Sequence, residues 1–333
     1  MVDTRNLGTS GLKITTIGFG SWAVGGAGWA FGWGPQDDAA SERAIVHAVA
    51  SGVNWIDTAA IYGLGHSEEV VGRAVAQIPA GERPLVFTKC GLIWDEANRM
   101  APARRVLRPA SIRLECEASL RRLGVEQIDL YQIHRPDEIG TSVEDSWGEM
   151  ARLADEGKVR AIGVSNYDVG LLDACESIRH VDSLQPPFSM IYRGTASDLL
   201  PWAAAHETGV IVYSPMASGI LTDSFSRERV AAMSQDDWRR GSDGFNDPAL
   251  TLNLALRDAI KPVAARLGTS VAAVAVAWTL AWPGVSGAIV GARRPEQVDG
   301  WLAAGTLHLG AADLGELAAA IERTGAGTGP IKP

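Results

Sequence analysis

Four side chains in this 333-residue sequence could handle a proton together: Asp57, Tyr62, Lys89 and His134. A tyrosine can give its proton to an oxygen, although a phenol with an ordinary pKa near ~10 is a weak acid at neutral pH. A neighbouring ammonium favours the phenolate, so Lys89 is expected to lower the pKa of Tyr62. Asp57 would keep Lys89 charged and oriented, and His134 would hydrogen-bond the oxygen being protonated. Arg135, next in the chain, is a second cation that could share the part of His134. Run backwards, with tyrosinate as base, the same set would take a proton from an alcohol.

These residues lie far apart in the chain, so secondary structure must gather them. Short apolar runs at 16–20, 54–57, 85–89, 128–134, 161–165, 183–185, 210–214 and 287–290 read as eight strands. Helix-like stretches at roughly 39–51, 67–77, 109–123, 143–156, 168–177, 197–207 and 270–281 alternate with them, and 295–303 follows the last. Ser67 is an expected N-cap, with Glu68 and Glu69 suiting the positive end of its helix. Pro109 suits a first turn, and Gly52, Gly124 and Gly157 stand where helices should stop.

Each crossover returns a strand in the same direction, so the sheet should be parallel. The expected fold is α/β, a single (β/α)8 TIM barrel forming one domain over residues 1–333, since about 250 residues suffice for the core of such a barrel. An open doubly wound sheet is the rival. However, Gly18-Phe19-Gly20 and Gly25-Gly26-Ala27-Gly28 lack the spacing of a dinucleotide fingerprint. A β-hairpin turning at Gly8-Thr9-Ser10-Gly11 should precede the barrel. Two long loops, 22–38 rich in Gly and Trp and 216–250 polar with scattered Gly, follow strands. Both belong at the C-terminal rim, where barrel active sites sit.

On such a barrel the strand ends Asp57, Lys89, His134, Ser165-Asn166, Gln185 and Tyr213-Ser214 converge, with Tyr62 in the loop after Asp57. A lone lysine or histidine is more often structural. Six successive strands delivering such groups to one rim point to one pocket.

The ordered motifs resemble those of the aldo-keto reductases. They are Asp57-Thr58-Ala59-Ala60-Ile61-Tyr62-Gly63, Gly65-His66-Ser67-Glu68, Phe87-Thr88-Lys89, Asp129 to His134 and Gly163-Val164-Ser165-Asn166. Gln185-Pro186-Pro187, Tyr213-Ser214-Pro215 and Gly291 to Gln297 follow in the family's order. The likeness spans nearly the whole chain, and the overall pattern is similar to bacterial members near the inositol-related and general-stress reductases. It implies carbonyl reduction, with hydride from a nicotinamide and a proton from Tyr62. It also implies that Ser165, Asn166 and Gln185 bond the carboxamide and that Tyr213 stacks on the ring. Ser214, Met216, Gly219 and Leu221 would then lie along the pyrophosphate, with Arg239 or Arg240 closing over it. Gln297 would contact the adenosine phosphate.

Gly291-Ala292-Arg293-Arg294 precedes a helix opened by Pro295, so a phosphate there would meet backbone N–H groups and guanidinium donors together. Two adjacent arginines favour NADPH/NADP+ over the NADH couple. Trp301 stands where the family often has an adenine-touching Asn. Trp22, Trp29, Trp33 and Trp94 at the barrel mouth suggest a substrate with a flat or apolar face, such as a sugar ring, an aromatic aldehyde or a polycyclic ketone.

The net charge of −9 argues against nucleic acid and anionic membrane as partners. Cys90, Cys116 and Cys175 form no CxxC pair, so a metal site or disulfide framework is not expected, and a reducing cytoplasm suits them. The start of the chain lacks the pattern of a secretory signal. The sequence sets no assembly state. Two other readings stand beside the reductase. One is a Schiff-base aldolase with Lys89 as nucleophile. The other is an NADPH-binding redox sensor or accessory subunit with slow turnover, like the potassium-channel β-subunits of this fold.

Overall fold

A computed structural model of the chain describes residues 2–235 and 237–333. Met1 of the amino terminus and Asp236 of the second long loop lie outside the described residues. Eight parallel strands close a barrel: β1 (Ile17–Gly20), β2 (Trp55–Asp57), β3 (Leu85–Cys90), β4 (Ile128–Ile133), β5 (Val159–Ser165), β6 (Ser183–Gln185), β7 (Gly209–Val212) and β8 (Val285–Gly291). Each pairs with its neighbour in sequence, and β8 closes onto β1. The helices are α1 (Asp38–Ala50), α2 (His66–Ala76), α3 (Pro109–Leu123), α4 (Val143–Asp155), α5 (Val169–Glu176), α6 (Leu199–Ala205), α7 (Ala249–Arg266), α8 (Val271–Leu280), α9 (Pro295–Leu302) and α10 (Ala311–Thr324). No single described helix is long and apolar enough to cross a membrane.

Alternation along the strands builds the barrel in layers. Trp55, Phe87, Leu130, Ala161, Ile211 and Ile289 pack inside with Leu7, Leu12 and Ile14, which come from the hairpin of Thr4–Asn6 and Lys13–Thr15. The hairpin therefore plugs the lower end. Two residues beyond the apolar layer on β2, β3, β4 and β7, the same inward face carries Asp57, Lys89, Gln132 and Tyr213. The chemistry thus sits directly on the core, and the rings of Trp55 and Phe87, 5.2 Å apart, form its floor. Gly18 makes room for that floor, since a Cβ there would lie 2.1 Å from the Trp55 ring. Deleting a ring as large as that of Trp55 would cost about 3–5 kcal/mol.

Several local expectations hold. Gly52, Gly124 and Gly157 all take positive φ at or just past helix ends, and Pro109 opens α3. Ser67 is a correction. Gly65 caps α2 instead, and Ser67 lies inside the helix, fully buried, its hydroxyl bonded to Ser21 and Thr58. Glu68 and Glu69 stand in the first turn as expected, and Glu68 is in addition fully buried. It accepts from Thr88 at 2.5 Å and pairs with Arg122 at 2.6 Å. The polar 216–250 stretch is not one open loop, for it holds a helical turn at Arg227–Ala231 and enters α7, a helix not expected from its residues.

Candidate active site

Asp57 ends β2, and its carboxylate is 2.6 Å from the Lys89 ammonium, with both side chains almost wholly buried. Lys89 also donates to the Thr58 carbonyl at 2.8 Å and reaches the Tyr62 hydroxyl at 3.4 Å. Tyr62 rides a compact turn closed by bonds to Ala59 and Ala60 carbonyls. The first rim loop presses on this turn through Gly25 and Gly63, where a Cβ on either would fall within 2.6 Å of the other's backbone. The His134 ring stands edge-on to Tyr62 at 5.7 Å, so the four side chains lie together.

The electrostatics correct one expectation. Burial, reinforced by the Asp57 charge, drives the Tyr62 pKa well above its usual value, with the Arg135 charge opposing. Lys89 is already matched by Asp57, so it does not turn Tyr62 into a phenolate. Burial also favours the neutral forms of Asp57 and Lys89, and their mutual attraction opposes this. Burial, with the Lys89 and Arg135 charges, holds His134 well below the ordinary histidine pKa. The site therefore offers a neutral phenol and a neutral imidazole beside a buried ion pair.

Gln185 turns its amide nitrogen to Asp57 at 2.9 Å and to Gln132 at 3.3 Å. Asn166 donates to the His134 carbonyl at 2.9 Å and accepts from the Tyr213 hydroxyl at 2.8 Å. The Ser165 hydroxyl donates to the Gln185 carbonyl at 2.8 Å. These bonds fix the Tyr213 ring at the rim. Among the described residues the buried Gln132 amide nitrogen has no partner, although the residue stands inward beside Lys89. The sequence reading missed it, and its place two residues before His134 was the available signal.

Ser214, Met216 and Gly219 are partly exposed on one turn, but Leu221 is buried and its N–H is spent on the Met216 carbonyl. Leu221 thus packs into the core at the end of this turn. Trp29 is buried against Ala59 and Ile61, with its ring 6.4 Å from that of Tyr62. Trp22 and Trp94 are partly exposed and flank Tyr62, and Trp33, also partly exposed, lies under Arg239 at 4.4 Å and edge-on to Trp22 at 5.3 Å. Trp238, also missed, stacks on Trp22 at 5.1 Å. It was an aromatic inside a loop that read as polar. Trp301 is buried in the core.

The donor set suits an anionic dinucleotide. Arg239, Arg293 and Arg294 come together with Arg229, which the sequence reading did not single out, and their charges depress the pKa values of Arg229 and Arg293 after burial. Among the described residues only Asp237 forms an ion pair with any of them. Arg294 precedes α9, which Pro295 opens, and the Gln297 oxygen accepts from the Arg293 N–H at 2.7 Å. The three cysteines are free and buried, and burial pushes the Cys116 and Cys175 thiols up to about 12.

A closed parallel barrel with an Asp–Lys pair, a tyrosine and a histidine at its C-terminal rim defines an oxidoreductase site of a recognisable class. The chain belongs to the aldo/keto reductase family, whose pattern matches residues 16–322. It is 33% identical over 299 residues to the aldo-keto reductase YhdN of Bacillus subtilis, covering 90% of this chain and 87% of that one. It is 32% identical over 331 residues to an NADH-specific methylglyoxal reductase of Escherichia coli, covering 95% and 98%. Among solved structures it is similar to the glycerol dehydrogenase AKR11B4 from Gluconobacter oxydans, with a TM-score of 0.87, 37% identity and coverage of 99% and 98%.

Proposed function

We propose that this chain, as one barrel domain over residues 1–333, reduces an aldehyde or ketone to an alcohol with NAD(P)H, Tyr62 giving the proton. The observation that carries the reading is the contact of Lys89 with both Asp57 and Tyr62, beside His134. The nicotinamide, when bound, would supply the hydride. Tyr62 would hold its proton until the substrate oxygen gains charge. Lys89, anchored by Asp57 and the Thr58 carbonyl, would favour the tyrosinate left behind. His134 would donate an N–H to the same oxygen. Ser165, Asn166, Gln185 and Tyr213 would orient the nicotinamide, and Ser214, Met216, Gly219 and Arg239 the pyrophosphate.

The phosphate end would meet Gly291, Gln297 and the arginine cluster, whose charge favours NADPH. The NADH-specific relative makes this preference the part to measure first. Trp22 and Trp94 would form the substrate wall, and the buried free thiols are compatible with a cytoplasmic setting. The aldolase reading has less support, because the Lys89 ammonium is held by Asp57 and Thr58. A redox-sensing role is the second reading, motivated by 28% identity to a probable potassium-channel β-subunit of Arabidopsis thaliana.

The test is oxidation of NADPH and NADH over a panel of aldehydes and ketones, including nitrobenzaldehydes. Tyr62→Phe should lose about 10²–10⁴-fold in turnover while still binding cofactor. Full turnover by Tyr62→Phe rejects the mechanism, and binding without turnover by the unaltered chain favours the sensor.

A further inference from the structure

The arginine cluster is not uniform, and its differences lie in what already holds each guanidinium. Arg293 is engaged by the first rim loop at three points. Its Nε donates to the Gln36 side-chain oxygen, one terminal nitrogen to the Trp33 carbonyl at 3.3 Å, and the other to the Pro35 carbonyl. Gln36 answers by donating to the Arg293 carbonyl at 3.0 Å and to the Ser41 hydroxyl at 2.7 Å. A guanidinium binds phosphate best through a free pair of parallel N–H bonds. Each such edge of Arg293 already has at least one donor committed to the loop.

Arg239 is engaged too. It forks onto Asp237 at 2.9 and 2.6 Å, donates to the Ser218 carbonyl at 3.3 Å and covers the Trp33 ring. Trp33 is therefore gripped at both ends, its ring by the second rim loop and its carbonyl by the turn after β8. Arg294 and Arg229 differ. Both are exposed, and among the described residues neither side chain has a hydrogen bond or ion pair. Arg229 projects over Phe225, which packs against Phe245 at 5.8 Å, and Arg239 borders that same Phe245. Burial first, and then the neighbouring arginine charges, lower the pKa values of Arg229 and Arg293, as fits cations crowded around few carboxylates.

We propose a division of labour at this end of the site, which rests on the nicotinamide reading above. Arg293, with Gln36, is a positioning clasp that straps the first rim loop across the cofactor groove, and Arg294 with Arg229 meets the 2′-phosphate that separates NADPH from NADH. The clasp serves either dinucleotide because its contacts are to the protein. The same loop carries Trp22 beside Tyr62, so the clasp also ties cofactor residence to the substrate wall.

The test measures NADPH and NADH binding by calorimetry for the full chain and its variants, with cleavage of the first rim loop by a protease as a second readout. Arg294→Ala and Arg229→Ala should each weaken NADPH by about tenfold or more, since a charge-assisted hydrogen bond is lost, and should change NADH little. Gln36→Ala and Arg293→Ala should weaken both dinucleotides by similar factors and speed cleavage of the loop. They should also raise KM for the aldehyde more than they lower kcat. Arg293→Lys decides between charge and clasp: it keeps the charge but not the fork, so it should behave like Arg293→Ala. A selective NADPH loss in Arg293→Ala that Arg293→Lys restores would overturn the division, as would NADPH binding untouched in Arg294→Ala and Arg229→Ala. If the unaltered chain bound neither dinucleotide, the proposed function would fall first, and the division with it.

Discussion

At the scale of single residues, the protonation states follow from burial and charge. Tyr62 is held well above the usual phenol pKa and His134 well below the usual imidazole pKa, so both are neutral across the physiological range. Reduction needs Tyr62 protonated, and this condition is met throughout. We therefore expect the reduction step, followed by single-turnover absorbance of the reduced cofactor, to show no inflection near ~6.5, the ordinary histidine value. A bell or step centred there would mean that His134 titrates freely. Oxidation of an alcohol needs the phenolate and should rise with pH over the alkaline range. Stability carries the same signature. The unfolded chain protonates His134 below ~6.5 while the folded chain resists, so folding weakens as pH falls through that value.

Among the elements, the end of β3 is pinned from outside the barrel. The Gly91 N–H, two residues past Lys89, donates to Glu115 of α3 at 2.9 Å, and Thr88 donates to Glu68 of α2. Burial lifts the Glu115 carboxyl from 4.5 to about 7, against the bonds from Gly91 and Ser111. Between those values the folded chain keeps a proton that the unfolded chain has lost. This contribution is complete below the unfolded pKa and disappears as pH rises through about 7. Glu115→Gln keeps an acceptor for Gly91 without the ionisation. Urea unfolding should find the variant gaining on the original by roughly 2–3 kcal/mol between about pH 4.5 and about pH 8. An unchanged difference across that interval would show that Glu115 titrates normally.

For the molecule as a whole, a net charge of −9 surrounds a local arginine cluster at the rim. An anion approaching this cluster meets attraction that is screened within about 10 Å at 0.1 M salt. NADPH carries one more phosphate than NADH, so its affinity should fall more steeply as salt rises, and parallel slopes would argue against an arginine-bound 2′-phosphate. Cofactor at about 100 times its Kd should stabilise the fold by about 2.7 kcal/mol, read as a shift in the thermal midpoint.

Much of this is legible in the order of the residues. The eight strands and the convergence of Asp57, Tyr62, Lys89 and His134 follow from short apolar runs separated by helix-length segments, because a parallel crossover has few geometric solutions. Whether a polar residue serves chemistry or packing depends on contacts between distant segments. Ser67 and Glu68 do stand at a helix start, but their side chains are spent on buried bonds to Ser21 and Thr88. That Trp29 and Leu221 are buried likewise depended on segments distant in the chain. Gln132, Trp238 and Arg229 gained meaning only from neighbours remote in the chain. The sequence by itself determined the barrel and which residues reach its rim, since periodicity is a local property. Tertiary structure decided the protonation of Tyr62 and the engagement of Arg293, since desolvation and hydrogen-bond competition arise only once the chain has closed around them.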